Sequence, residues 1–266
     1  MRALAWTVGV GALAASSLVL AQTVVVPPMR APHPWQAALP RGEAEAYFTN
    51  LKSGDRIETP FVLKFGLSGG WGLAPIAKPL GGKSGHHHLL VNRDLPLDFK
   101  AALPFNDQYI HFGKGQMESV LTLAPGNYTL RMLLADDQHL PHFVYSKPLK
   151  ITVTQKNATD PKSLVKKGLE VHVAGPEVKV PFRVQFHASG LNLAHVVQQE
   201  KDTGHFKLTV VSKAGPTAEM DFVDGQTETW LAPPTGDYTL KLEFLDNLRP
   251  NQALAGAVST TVKVLP

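Results

Sequence analysis

The stretch Thr59-Pro60-Phe61-Val62-Leu63-Lys64-Phe65, followed by Ser68-Gly69, returns without a gap as Val180-Pro181-Phe182-Arg183-Val184-Gln185-Phe186, followed by Ser189-Gly190. Both segments alternate apolar and mostly polar positions with a period of two, the pattern of a strand with one face in a core. Working outward, Gly85-His86 matches Gly204-His205, and Gly115-Gln116-Met117-Glu118 matches Gly225-Gln226-Thr227-Glu228. Pro125-Gly126-Asn127-Tyr128-Thr129-Leu130 then matches Thr235-Gly236-Asp237-Tyr238-Thr239-Leu240, with Asp136 falling on Asp246. The chain is therefore read as two diverged copies of one unit.

Short strands between Gly/Pro/Asn/Asp clusters, with no long amphipathic helical stretch, predict an all-β protein: two tandem immunoglobulin-like antiparallel β-sandwich domains. The Gly-x-Tyr-Thr-Leu turns predict a tyrosine corner in each copy, the Tyr hydroxyl tying back to nearby backbone. The boundaries follow from composition. Residues 1–21, Met-Arg and then an apolar run interrupted by Gly9, Gly11, Ser16 and Ser17, read as a signal peptide cleaved after Ala21. Residues 22–41 read as a Pro-rich extended arm whose Trp35 docks on the first domain. Residues 42–154 form the first, His-rich domain, the polar stretch 155–168 a linker, and residues 169–266 the second, degenerate domain. With the leader removed, no later run is long and apolar enough to span a bilayer, which predicts an exported, periplasmic or secreted protein of a bacterium without stable membrane insertion.

The chain has no cysteine. That excludes disulfides, thiolate nucleophiles and thiolate metal sites together. The formal charge of +4 comes with a single Lys-Lys pair at 166–167, which argues against a nucleic-acid partner. Met117 and Met132 stand alone, so no Met-rich site for Cu(I) is present. Two separate cores are expected from the length.

The histidines divide the two copies. The first holds His86, His87, His88, His111, His139 and His142, whereas the second keeps His205, with Phe206 for His87 and Lys207 for His88. The fold does not require these side chains. Because Phe206, Leu208 and Val210 form an apolar set, His87, Leu89 and Val91 should face the core, leaving His86 and His88 together on the opposite face. Imidazoles at i and i+2 of a strand suit one Zn(II) or Cu(II) ion, at about 2.0–2.1 Å from nitrogen to zinc. The candidate ligands are His86, His88, His111, His139 and His142. His87, Asp136 and Asp137 are candidates for support, the carboxylates by accepting an imidazole N–H. Taken singly, each histidine also fits a packing or turn-capping role. The scattered His33, His172, His187 and His195 have no partner at useful spacing and read as surface residues.

Gly85-His86-His87-His88-Leu89-Leu90-Val91, Ile110-His111-Phe112-Gly113-Lys114-Gly115-Gln116, Leu123-Ala124-Pro125-Gly126 and His139-Leu140-Pro141-His142 together resemble a bacterial exported family known as domain of unknown function 4399. The resemblance covers about Ala44 to Thr154, with the second domain similar to a degenerate copy. It departs at Tyr109 and Asp137, where family members usually carry further histidines. It implies a shared fold and site and no particular reaction.

Three functions compete at this level. The first is a non-enzymatic periplasmic protein binding copper or zinc through the cluster, with affinity falling below about pH 6.5, the ordinary imidazole pKa. The second is a metal-free envelope module meeting a protein or glycan through the loop Gly66 to Ser84, which carries Trp71. The third is a metal-dependent hydrolase, for which no Gly-x-Ser-x-Gly elbow, His-Glu-x-x-His helix or phosphate-binding glycine loop is present, and no catalytic residue is named.

Overall fold

In a computed structural model the described residues are 32–38, 44–77, 82–96 and 98–266. The signal peptide read over residues 1–21 lies outside them, as does most of the arm. Copy one contains β1 (Ala46–Phe48), β2 (Arg56–Thr59), β3 (Phe61–Leu67), β4 (Gly72–Leu73), β5 (Ser84–Val91), β6 (Tyr109–Phe112), β7 (Glu118–Leu121), β8 (Gly126–Ala135), β9 (Pro141–Tyr145) and β10 (Leu149–Lys156). Copy two contains β11 (Gly168–Val173), β12 (Glu177–Val178), β13 (Phe182–Ser189), β14 (Asn192–Leu193), β15 (Thr203–Ser212), β16 (Thr217–Phe222), β17 (Glu228–Leu231), β18 (Gly236–Asp246) and β19 (Val258–Val264).

The two copies share one topology. A sheet ordered β1-β3-β7 faces a larger one ordered β2-β10-β8-β5-β4, with β6 on β5 and β9 on β8; copy two repeats this as β11-β13-β17 and β12-β19-β18-β15-β14, with β16 on β15. This is the expected all-β, immunoglobulin-like sandwich. One detail differs from a purely antiparallel reading: the short edge strands β2, β4, β12 and β14 pair in parallel. The predicted tyrosine corners are present, Tyr128 donating to the carbonyl of Ala124 and Tyr238 to that of Pro234, both at 2.8 Å.

β10 extends to Lys156, so the connection runs over residues 157–167 and carries one 3-10 turn, Pro161–Ser163. Among the described residues no helix is long and apolar enough to cross a membrane. Trp35 is corrected: its carbonyl accepts from Ala232, Ala37 N–H donates to Trp230, and its ring meets Tyr238 edge-on at 5.6 Å. The arm therefore adds to the open edge of β17 in the second domain, where unpaired backbone groups are available.

The copies pack through their three-stranded sheets, and their contacts are reciprocal. Leu73 N–H donates to Gly225 O and Leu193 N–H to Gly115 O, each at 2.9 Å. These are equivalent positions, as in a twofold dimer. Gly115 and Gly225 have φ of +84° and +74°, and a Cβ on them would stand 2.0 Å and 2.5 Å from the carbonyl oxygens of Leu193 and Leu73. That is why both copies keep glycine here. Instead of two separate cores, the buried apolar residues of both copies form one continuous cluster.

His187, read as a surface residue, is buried in this interface. Its Nε2 lies 3.0 Å from Glu118, which also accepts from Ser189 Oγ and Gly190 N–H at 3.0 Å. Burial alone would raise the Glu118 carboxyl, but these hydrogen bonds and the nearby imidazole hold it below the ordinary carboxylate value. Lys64 reaches Glu170 across the same interface, and the Arg183 guanidinium lies 4.3 Å over the Tyr47 ring.

Candidate metal centre

β5 presents alternate residues to opposite faces. His87 points inward with Leu89 and Val91, as expected, and is fully buried edge-on against Phe65 at 5.0 Å. Neither of its ring nitrogens has a hydrogen-bond partner among the described residues. Burial pushes its pKa down to about 3, so it is a neutral core residue. It supports the cluster only by fixing the strand.

His86 and His88 share the outer face of β5. His88 pairs across the strands with His111 on β6, and His139 enters from the turn between β8 and β9. The metal-capable nitrogens of His86, His88, His111 and His139 all lie within 4.8 Å of one another. Ring centroids are 4.5 Å apart for His86 and His88, 4.0 Å for His88 and His111, and 4.7 Å for His111 and His139. A tetrahedral ion at zinc-imidazole distance needs nitrogens about 3.3 Å apart, within reach of small side-chain rotations. His86 and His88 are buried, with their Nε2 atoms 2.7 Å apart; His111 and His139 are half-buried.

Protonation favours an ion. Burial, helped by the neighbouring His139 and His111, pushes His86 down to about 3. His88 is pushed lower still by burial and by His86, and burial also lowers His111 against an upward pull from the Pro104 carbonyl. Neutral imidazole is the ligand form. His86, His88 and His111 are thus held in the neutral form below the ordinary imidazole range. Because His111 Nε2 donates to Pro104 O at 3.1 Å, its Nδ1 carries the free lone pair; that atom and His88 Nδ1 are buried without partners among the described residues.

Asp136 acts differently from the expected imidazole acceptor. Its Oδ1 takes the backbone N–H groups of Gln138 and Leu140 at 2.9 Å and 2.8 Å, folding the turn that presents His139. His139 sits at φ +64°, uncommon for a non-glycine residue. In copy two Asn251 takes the corresponding place at φ +71°, before Gln252, whose carbonyl accepts from Asp246 as that of Leu140 does from Asp136. Asp137 is exposed and contributes nothing to the cluster.

His142 is also outside the group of four. Pro141 pairs with Ala135 on the outer face, so strand parity turns His142 the other way. It packs on Trp71 at 4.7 Å and bonds to the backbone of Ser84, while burial lowers its pKa. Trp71 is thus partly enclosed, not displayed on a free loop.

Sequence reasoning missed the wall of the site. Residues 92–108 join β5 to β6, where copy two needs only 213–216 between β15 and β16. The longer connection lays Leu103, with Leu95 and Phe99, against Leu90, Leu133 and Ala135 on the outer face and reaches His139 and His111 through Leu103 and Pro104. The signal was present as spacing, since Gly85 to Gly115 is longer than Gly204 to Gly225. Copy two fills the same face with hydrogen bonds and ion pairs: His205 Nδ1 to Asn247 at 2.6 Å and Lys207 to Glu219 at 2.9 Å.

No curated protein matches the chain. Among solved structures, fibronectin(III)-like modules of CbhA from Clostridium thermocellum align over 82% of this chain and 93% of theirs, at 10% identity and TM-score 0.27. A two-domain fibronectin type III segment of chicken tenascin aligns over 82% and 97%, at 12% identity and TM-score 0.22. TM-scores this low carry no argument, and the sandwich assignment stands on strand order. With residues 63–154 and 184–264 matched, well over half of its length, the chain belongs to the family described as Domain of unknown function (DUF4399) and carries that domain twice.

Proposed function

We propose that this protein is an exported, periplasmic, non-enzymatic binding protein whose first domain holds one copper or zinc ion through His86, His88, His111 and His139. The observation that carries this is the convergence of four imidazoles from two strands and a turn, with ligand atoms within 4.8 Å. Imidazole suits both Cu(II) and Zn(II), with copper bound more tightly on the general ordering. Asp136 Oδ1 is taken up by its turn, and the group of four contains no carboxylate among the described residues. These features favour holding an ion over hydrolysis.

Elemental analysis of untagged mature protein from the periplasm tests the reading. One equivalent of copper or zinc is expected, and near-background metal in the His86→Ala/His88→Ala double variant. Equal metal in both proteins, or none in either at saturating ion, refutes it. A second reading, an envelope module binding a protein or glycan, is favoured by the exposure of Phe105, 82%, beside His111, and of Phe143, 75%, which stacks on Phe99. Full occupancy by metal would demote it.

A further inference from the structure

The long connection that distinguishes copy one ends directly on the histidine cluster. Three consecutive residues touch it with three different groups. Leu103 N–H donates to the carbonyl of His139 at 2.9 Å, Pro104 O accepts from His111 Nε2 at 3.1 Å, and the Phe105 ring stands edge-on to His111 at 4.4 Å. Leu103 is buried in the outer-face apolar cluster, so the segment is anchored on the sheet, whereas Phe105 is exposed. A solvent-exposed phenylalanine does little for folding. Its position does place it beside His111, one of the two half-buried members of an otherwise buried group.

We propose that Leu103–Phe105 is a strap over the metal site, in which Pro104 and Phe105 are positioning residues that govern how fast the ion leaves. This rests on the metal reading above. The Pro104 carbonyl keeps the proton of His111 on Nε2, which leaves the buried Nδ1, without a partner among the described residues, as the atom free to take an ion. The Phe105 ring, edge-on to the same imidazole and itself exposed, restrains it from the solvent side. A metal-bound imidazole is a better N–H donor than a free one, so an ion drawing on Nδ1 strengthens the bond to Pro104. The same ion holds His139, whose carbonyl anchors Leu103. Ion and strap therefore stabilise each other, and by linkage the coupling runs both ways.

The test uses the full chain and Zn(II) alone. Amide exchange followed by NMR reads the Leu103 N–H with and without the ion, and transfer to a chelator reads release from wild type and from Phe105→Ala. Zinc is expected to raise Leu103 protection about tenfold. Phe105→Ala should still bind one equivalent, keep the thermal midpoint of the wild-type apo protein, and release zinc at least about fivefold faster. His86→Ala/His88→Ala should show no zinc-dependent protection. One bound equivalent with unchanged Leu103 exchange overturns the strap, as does release from Phe105→Ala at the wild-type rate. A wild-type chain that binds no zinc also overturns the strap, stoichiometry tells this outcome from the other two, and the elemental analysis above decides the metal reading separately.

Discussion

Replacing His87 by Phe should stabilise the metal-free protein, and by more in acid. His87 is fully buried with two ring nitrogens that have no partner among the described residues, and the equivalent position of copy two is Phe206, packed 5.3 Å from Phe186 and 4.9 Å from Phe244. Burying polar atoms without partners costs about 1–3 kcal/mol. Phe is larger, and fitting it against Phe65 and Leu134 offsets about 1 kcal/mol of the gain. The net expectation at pH 7.5 is about 1 kcal/mol in favour of the variant. The acid term follows from linkage. A histidine whose pKa is 6.5 unfolded and about 3 folded takes up its proton only on unfolding, so stability falls as pH drops below 6.5. At pH 5 this amounts to about 2 kcal/mol, which the variant does not lose. Urea unfolding of both full-length proteins in excess chelator at pH 7.5 and 5.0 measures the two differences. A variant less stable than wild type at pH 7.5 would refute the packing argument, and a gap that fails to widen at pH 5.0 would refute the burial argument.

Gly115→Ala should destabilise the chain by about 3 kcal/mol or more, combining a left-handed φ with a Cβ only 2.0 Å from Leu193 O; a midpoint unchanged in urea would contradict the reciprocal interface. Glu118→Gln should cost about 2 kcal/mol at pH 7 by disrupting the bond to buried His187. Because the Glu118 pKa is lowered on folding, its ionised form stabilises the native state above about pH 4.5, and the difference between variant and wild type should shrink as pH falls below that value. A constant difference from pH 7 to pH 3.5 would assign the effect to shape alone. His139→Asn should lose most of its metal affinity, yet match or exceed wild type in apo stability, because Asn tolerates the left-handed backbone at this turn. Retained affinity, read by titration calorimetry, would remove His139 from the ligand set.

The parts of the fold that were legible are those in which local pattern and packing agree. Phe61-Leu63-Phe65 and Phe182-Val184-Phe186 reveal their strands because alternation is the direct imprint of a half-buried sheet. Tyr128 and Tyr238 reveal their corners because the hydroxyl bond is local. The orientation of His87 followed from Phe206 for the same reason. His142 was misplaced because its distance from His139 in sequence says nothing about the strand parity that β9 imposes. Glu118 and His187 were invisible as a pair, since they meet only where two domains close on each other and no local periodicity records such a contact. The wall over the histidines was missed although the spacing between matched glycines differed, because length alone does not say on which face an insertion lands.

The differences between the copies have one physical direction. In copy one His87 leaves two buried nitrogens unpaired among the described residues and His139 occupies a left-handed turn, while His86 and His88 share a hydrogen bond between their buried Nε2 atoms at 2.7 Å. In copy two the first two are relieved, since Phe206 replaces the core imidazole and Asn251 takes the left-handed turn, and the pair of imidazoles is replaced by His205 on Asn247 and Lys207 on Glu219. A sequence drifting without a site loses such strains first, because each removal is stabilising by itself. Both occur in copy one beside four converging imidazoles. The reciprocal Gly115 and Gly225 contacts then matter to function as well as to fold, since they couple the strained domain to a relaxed partner that shares its core.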